Sequence, residues 1–461
     1  MTGRGVQGFT SLRGQLPPET HSPVVADNCH HRQRHKGTEK HEEQNFPAYL
    51  HETGPFIVTS FPFLQCNPFQ QKYSKEKNQY RSCYPETMKI LAVEPYFTGS
   101  HRAFLRGWQK HSRHEFLFLT LPGHKWKWRM RHAAVTFARE LEENIKYAAA
   151  DVIFCSDMLN LAEFRGLAPR WVRDLPCVCY FHENQLTYPV QHSEERDLHY
   201  AFINAVSALA ADQVWFNSDY HLRSFTEALA DLLERMPDYR LPGTVDLIRE
   251  KAHIQPPGIE EFPPRPQRPP GPLRLLWAAR WEYDKNPEKF FRALYELQEQ
   301  GLPFELSVLG ESFREVPPVF AEAKIKLEPH VRHWGYLENR KDYRAELARA
   351  DVFVSTADHE FFGIAALEAA AAGALPLLPA RLAYPEVFNI NDPLCAELFF
   401  YDDEGTRNLA ERLCEYARDF ANDNIEKYEM TKALAVAACY HWTRRARAMD
   451  DTLPNPRTPT S

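Results

Sequence analysis

The chain is 461 residues long, and 55 Lys and Arg against 62 Asp and Glu leave a formal net charge of −7. With 44% hydrophobic and 13% aromatic residues it carries apolar surface for two or three domain cores, which excludes a disordered or fibrous chain. No stretch approaches the roughly 18–20 uninterrupted apolar residues of a membrane span, no apolar segment follows the N-terminal arginine, and nine scattered cysteines lack any CxxC pair, so a cytoplasmic protein with reduced thiols is expected.

Residues 1–87 mix His, Gln, Lys, Pro and Ser without a sustained period of 2 or 3.6, and are expected to form a poorly ordered extension. Met88 opens an apolar strand, KILAVEP, which suggests that the preceding segment is an upstream addition or follows a misplaced start codon. From there EFLFLTLP, DVIFCSD, PCVCYFHE and DQVWFNSD are strand candidates, and HAAVTFARELEENIKYAAA and YHLRSFTEALADLLERM read as helices. The proline-rich stretch PPGIEEFPPRPQRPPGP sustains neither a helix nor a central strand, so it separates two halves. LRLLWAAR, FELSVLG, VRHWGYL, DVFVST and ALPLLP repeat the alternation with helices such as PEKFFRALYELQEQG and FGIAALEAAAAG. The reading is α/β: a Rossmann-like domain at 88–258, a linker at 259–272, a second Rossmann-like domain at 273–445 and a flexible tail at 446–461, with two parallel sheets facing a central cleft.

In open parallel sheets ligands bind beyond the carboxyl ends of the strands, so the loops there are where chemistry is sought. After DVFVST comes Asp358-His-Glu360-Phe-Phe-Gly363-Ile-Ala-Ala-Leu-Glu368. If most of that interval is helical, the two glutamates stand roughly 12 Å apart, the reach from sugar to ribose in a nucleotide sugar. Gly363 at a helix N-terminus lets backbone amides approach a diphosphate between them. The plain alternative is two solvated acids flanking an ordinary turn. After LRLLWAAR, Arg280 and Lys285 stand before an Asn286 N-cap and Pro287 at N1, two cations suited to a departing β-phosphate without a metal. A surface pair bridged to Glu282 or Asp284 is the alternative. In the first half PCVCYF ends in His182-Glu183-Asn184, where a neutral imidazole can hydrogen-bond a sugar hydroxyl or serve a structural role. Gly99-Ser100-His101 is a weaker turn signal, and neither GxGxxG nor a P-loop is present. Lys125-Trp126-Lys127-Trp128-Arg129-Met130-Arg131-His132 alternates cations with indoles just before a helix, which suits unpaired nucleic acid or a basic turn whose tryptophans enter the core.

Glu360 and Glu368 with seven residues between them, and Arg280 and Lys285 upstream, resemble the retaining GT-B glycosyltransferases of family four. The strings EPYFTGSH, LPGHKWKWRMRH, FHENQLTYPV, WFNSDYHLRSF, RWEYDKNPEKFF, HWGYL and HEFFGIAALEA together resemble the tRNA-queuosine mannosyltransferase family over about residues 88–445. The resemblance implies a GT-B fold and transfer of mannose from GDP-mannose to queuosine in a tRNA anticodon, with retention and without a metal or other cofactor. It implies that Glu360 binds the transferred sugar and Glu368 the ribose. It also implies that Arg280 and Lys285 hold the diphosphate, that Gly363, Ile364 and Ala365 present amides, and that His182 faces the sugar. Gly99, Ser100, His101 and Asn184 would line the cleft, while Lys125, Trp126, Trp128, Arg129 and Arg131 are candidates for anticodon contact. The alternatives are a related transferase with another nucleotide sugar and a non-RNA acceptor, or an inactive RNA- or nucleotide-sugar-binding module.

Overall fold

A computed structural model describes residues 87–190, 197–265, 268–312, 315–403, 408–422, 424, 428 and 430–455. The expected N-terminal extension, Thr87 apart, and residues 456–461 lie outside the described residues. All described residues belong to one compact unit.

Two six-stranded sheets, parallel throughout, organise it. The first comprises β1 (Lys89–Glu94), β2 (Glu115–Thr120), β3 (Val152–Ser156), β4 (Cys177–Phe181), β5 (Gln213–Phe216) and β6 (Ala252–Ile254), in the order β2-β1-β3-β4-β5-β6. The second comprises β7 (Leu273–Ala278), β8 (Phe304–Leu309), β9 (Val331–Gly335), β10 (Val352–Val354), β11 (Leu375–Pro379) and β12 (Phe400–Tyr401), in the order β9-β8-β7-β10-β11-β12. The strands are continuous apolar runs because both faces are covered. Leu91, Val93, Ile153 and Cys155 enter one core and the alternate residues Ile90, Ala92, Val152 and Phe154 another, the period of two that a pleated strand imposes. Asp151, Asp212 and Asp351, each one residue before a strand, accept the N–H of Lys89 (2.8 Å), Cys177 (2.8 Å) and Arg274 (3.0 Å) at the start of the neighbouring strand.

Strand order reverses beside β1 in the first sheet and beside β7 in the second. The chain leaves β1 for β2 on one side while β3 lies on the other, and β7 is flanked in the same way by β8 and β10. At such a switch the connections diverge and leave a crevice at the carboxyl ends. The loops after β1 and β3, and those after β7 and β10, therefore carry the site.

Two expectations need correction, and two short strands were not foreseen. The helix expected from His132 to Ala150 runs instead over Trp126–Glu143 and ends at Asn144, whose side chain turns back to the Glu140 carbonyl (3.1 Å); a 3-10 turn, Ile145–Ala149, follows. The Lys125–His132 run therefore lies mostly inside the helix rather than before it. β6 and β12, of three and two residues, are too short for a periodicity signal. Residues 446–452, expected in a flexible tail, belong to the helix Trp442–Thr452, which packs on the first sheet's side of the molecule. There Trp442 lies 5.7 Å from Phe104, and buried Asp450 accepts from Trp108 Nε1 (2.7 Å) and the Arg113 N–H (2.9 Å). Next to that return the linker runs alongside: Ile259 exchanges backbone hydrogen bonds with Tyr440 and Trp442.

The indole of Trp442 fits because Gly107 and Gly258 lack side chains; a Cβ at either would fall 2.2–2.3 Å from the ring. Gly107→Ala is expected to lower stability by about 1–3 kcal/mol through overpacking, read as a drop in thermal midpoint. Gly166→Ala, in a helix with open space at the Cβ position, is the control expected to show no loss.

Candidate active site

The second half contributes an anion seat. After β7 the chain forms a short turn, and Asn286 caps the helix Pro287–Glu299 by accepting from the Lys289 N–H (3.2 Å). Lys285, just before the cap, is buried at 7% exposure. Its ammonium donates to the His359 carbonyl (2.7 Å) and lies 3.0 Å from Asp284 and 3.7 Å from Glu360. The Asp284 carbonyl in turn accepts from the Asp358 N–H (2.8 Å), which ties the β7 loop to the β10 loop. In that second loop Glu360 Oε1 accepts from the backbone N–H of Gly363 (3.2 Å) and Phe362 (3.5 Å). Gly363 has φ +89°, and a Cβ there would lie 2.5 Å from Tyr384, itself fixed by a 2.7 Å hydrogen bond to Ser355 Oγ. Only glycine satisfies both demands. Lys285, Glu360, Gly363, Ala365 and Tyr384 line one pocket.

The helix Ile364–Ala371 begins after Gly363, so only the second half of the Glu360–Glu368 interval is helical and the helical separation estimated for it does not apply. The N-cap Gly363 supplies no side-chain cap to this helix, so the first amides, those of Ile364 and Ala365 among them, lack a side-chain capping partner. Glu368 sits lower on the helix, where its carboxylate accepts from Tyr343 Oη (3.1 Å) and lies 3.9 Å from Arg340. Burial pushes its pKa up, against the pull of Arg340 and Tyr343.

The first half contributes a buried charge cluster that sequence reasoning found only in part. Glu94, the last residue of β1 and 1% exposed, accepts from the Tyr96 N–H (2.8 Å) and Ser156 Oγ (3.0 Å) and faces His101 Nδ1 at 3.1 Å. His101 lies in the first turn of the helix Gly99–His111, after Gly99 at φ +48° and exposed Ser100. The His182 ring lies 4.0 Å from that of His101, tilted by 36°, and the His182 backbone N–H donates to Asp157 (2.9 Å) in the loop after β3. Burial pushes the His101 pKa down, but the Glu94 charge and hydrogen bond reverse this and raise it to about 9. Burial first, then the charge on His101 and the proximity of His221, holds His182 well below the ordinary imidazole value, so His182 is neutral. Burial raises Asp157 to about 8 against the pull of His101. Among the described residues, His182 Nε2 and the second Asp157 oxygen have no hydrogen-bond partner.

Ligand atoms of Glu94, His101 and His182 lie within 4.8 Å of one another, the one such group among the described residues that could hold a cation. Its present geometry is that of an ion pair, because the Glu94 oxygens are committed to Tyr96, Ser156 and His101. Asn184, expected to line the cleft, is instead fully buried: its side chain accepts from the Leu186 and Thr187 N–H groups and donates to Thr187 Oγ1, shaping the loop that presents Tyr188.

That loop joins the halves. Arg280 donates to Tyr188 Oη (2.7 Å) and pairs with Glu282 (3.2 Å), while Tyr188 faces the His359 ring at 5.7 Å. Glu183 favours protonation of both His101 and Arg280, which puts its charge within reach of both clusters. Elsewhere Ser218 Oγ donates to the Phe361 carbonyl (2.7 Å), His221 stacks 3.9 Å from Phe361, and Glu386 accepts from the Asp219 and Tyr220 N–H groups that open the helix Asp219–Glu234. Lys285, Glu360, Gly363 and Ala365 are thus brought together around one pocket, Ile364 opens the helix that follows, Arg280 joins the neighbouring loop through Tyr188 and His359, and Glu368 lies farther along the Ile364 helix. Lys125 to Arg131 form a separate surface. Glu94, Asp157 and Tyr188 were missed as site residues; an acid ending β1 and another following β3 were the available signals.

His101 and Asp157 give a signed pH dependence. A histidine raised from 6.5 to about 9 contributes stability that is full below pH 6.5 and is lost as pH rises through 9. An aspartate raised from 3.8 to about 8 binds a proton in the folded state that the unfolded chain has released, so it too makes stability fall as pH rises across that interval. Thermal unfolding is expected to show a midpoint falling from pH 6.5 to 9, with a flatter profile in Glu94→Gln.

The family described as "tRNA-queuosine alpha-mannosyltransferase N-terminal" matches residues 89–259, and "Glycosyl transferases group 1" matches residues 258–419. A tRNA-queuosine alpha-mannosyltransferase of Drosophila melanogaster is 37% identical over 314 residues, 65% of this chain and 81% of the relative. A GDP-mannose-dependent alpha-(1-6)-phosphatidylinositol dimannoside mannosyltransferase of Mycobacterium tuberculosis is 25% identical over 185 residues, 40% of this chain and 44% of the relative. The crystal structure of Anabaena Alr3699/HepE in complex with UDP superposes with a TM-score of 0.53 at 13% identity, covering 79% of this chain and 99% of that one, a likeness of fold alone. Two parallel sheets meeting at paired switch points make this a GT-B glycosyltransferase fold, and the chain belongs to the tRNA-queuosine alpha-mannosyltransferase family.

Proposed function

We propose that this protein transfers mannose from GDP-mannose to queuosine in a tRNA anticodon, with retention at the anomeric carbon. The observation that carries the reading is the Lys285 ammonium and the Phe362 and Gly363 amides gathered on the Glu360 carboxylate, with Arg280 joined to the same loop through Tyr188 and His359, in a member of this family. A diphosphate brings more charge than one carboxylate, so it displaces Glu360 from the amides and frees it for the sugar hydroxyls. The GDP-mannose dependence of the mycobacterial relative supports the donor.

In the reaction the bond between the anomeric carbon and the β-phosphate oxygen breaks, with its electron pair leaving on GDP. A queuosine hydroxyl oxygen bonds to the same face of that carbon, and its proton passes to the β-phosphate. Arg280 and Lys285 offset the charge that grows on the diphosphate, work a metal ion does in other transferases. Neutral His182 hydrogen-bonds the sugar, its backbone N–H held by the Asp157 carboxyl and its ring packed against that of His101. Glu368 takes the ribose. Cys155, Cys177, Cys179, Cys395 and Cys414 are buried free thiols, which together with the tRNA acceptor supports a cytoplasmic site of action; no described helix is long and apolar enough to cross a membrane.

Full-length protein incubated with mannose-labelled GDP-mannose is expected to label queuosine-containing tRNA and not tRNA from cells that cannot make queuosine. Absence of label on the first RNA overturns the reading. Arg280→Ala is expected to lower kcat about 10²–10³-fold, the usual effect of removing one charge-stabilising donor.

A further inference from the structure

The Trp126–Glu143 helix opens on a surface that the transfer step does not use. Its first two turns hold Lys127, Arg129 and Arg131, with Lys125 just before and no acid among them. Cations at a helix N-terminus oppose the helix dipole, so they cost the helix stability. They find no carboxylate among the described residues: Arg129 donates to the Pro122 carbonyl (3.0 Å) and meets His132, and Arg131 meets His199. The chain as a whole carries −7, which makes this patch a local reversal of sign. The two tryptophans part company. Trp126 packs 5.3 Å from Tyr200 beside Met130 and Met158, whereas Trp128 is 61% exposed, with the His132 ring 5.0 Å away.

A second helix, Leu198–Ala210, completes the surface. Its Tyr200 lies under Lys127 (5.9 Å) and Arg131 (5.1 Å), its His199 meets Arg131, and its Phe202 is 44% exposed. Both helices begin beyond the carboxyl ends of strands, β2 and β4, on the rim of the cleft. Cations alone would suit any polyanion. An exposed indole between them needs a flat partner, and a base offers its face only where it is unstacked, in a single-stranded loop.

Building on the function proposed above, we propose that Lys127, Trp128 and Arg131, with His199 and Phe202, hold the RNA loop that carries the acceptor nucleotide. Trp128 stacks on a base flanking the modified one, and Lys127 and Arg131 take backbone phosphates.

The test is equilibrium binding of anticodon stem-loop RNA, with and without queuosine, to the full-length chain over a range of salt. Wild type is expected to bind both loops, with affinity falling as salt rises. Trp128→Ala is expected to weaken binding at least about fivefold at every salt. Lys127→Ala and Arg131→Ala are each expected to lower the slope of log affinity against log salt by about 0.7, the contribution of one phosphate on a single strand. Thermal midpoints of these surface variants check that they fold. Failure of wild type to bind either loop, or wild-type affinity in Trp128→Ala, overturns the surface. Variant-sensitive binding without mannose transfer overturns the function and leaves the surface standing; transfer with variant-insensitive binding does the reverse.

Discussion

The carboxylate of Glu360, resting on two backbone amides beside a buried ammonium, is the interaction on which the rest of the site depends. Hydrogen bonds to a charged group are worth about 1.5–3 kcal/mol net, and a buried cation left alone costs several. Glu360 thus occupies the amides that the proposed diphosphate would take, while Lys285 is compensated by Asp284 at 3.0 Å as well as by Glu360. This demand reaches outward: Gly363 must take a left-handed backbone conformation, Tyr384 closes the space where a side chain would be, and the Asp284 carbonyl ties the two loops that carry Lys285 and Glu360. The chemistry asks for an anion site that is stable when empty of substrate, and an internal carboxylate provides one.

Opposite this seat, the first half solves a different problem. The role proposed for His182 calls for a neutral imidazole, yet His182 is surrounded by groups that titrate. Charged His101, fixed by Glu94, makes protonation of His182 costlier than burial alone does. His221 and His359 are likewise held below the ordinary imidazole value, by burial first. The two walls meet through Tyr188 and Arg280, so an interdomain contact also orients a cation assigned to the leaving group. Such a contact lets closure of the halves and assembly of the diphosphate site occur together.

The strands of three or more residues were mostly legible as apolar runs bounded by Gly, Pro and Asp, and the loops after β7 and β10 were legible as Arg280, Lys285, Glu360 and Gly363, because each announces itself within a dozen residues. Glu94 and Asp157 were not, since an acid at a strand end acquires meaning only when β1 and β3 are known to be neighbours. Asn184 read as a cleft residue because its polarity fits one; only the loop's hydrogen bonds show it spent on backbone. The final helix hid in a polar sequence, WTRRARAMDDT, whose buried partners Phe104 and Trp108 lie more than 300 residues away. In the Lys125–Arg131 segment the alternation of cation and indole was visible, but which indole is buried depends on Tyr200 in another helix.

The measurement that bears most directly on the anion seat is calorimetric titration of GDP into the full-length protein in the presence of a chelator, for wild type and Arg280→Ala. The account predicts binding that needs no added divalent metal and that weakens at least about tenfold in the variant, as expected when one charge-assisted hydrogen bond is lost. GDP binding that appears only with added metal, or that is as tight in Arg280→Ala as in wild type, would contradict it.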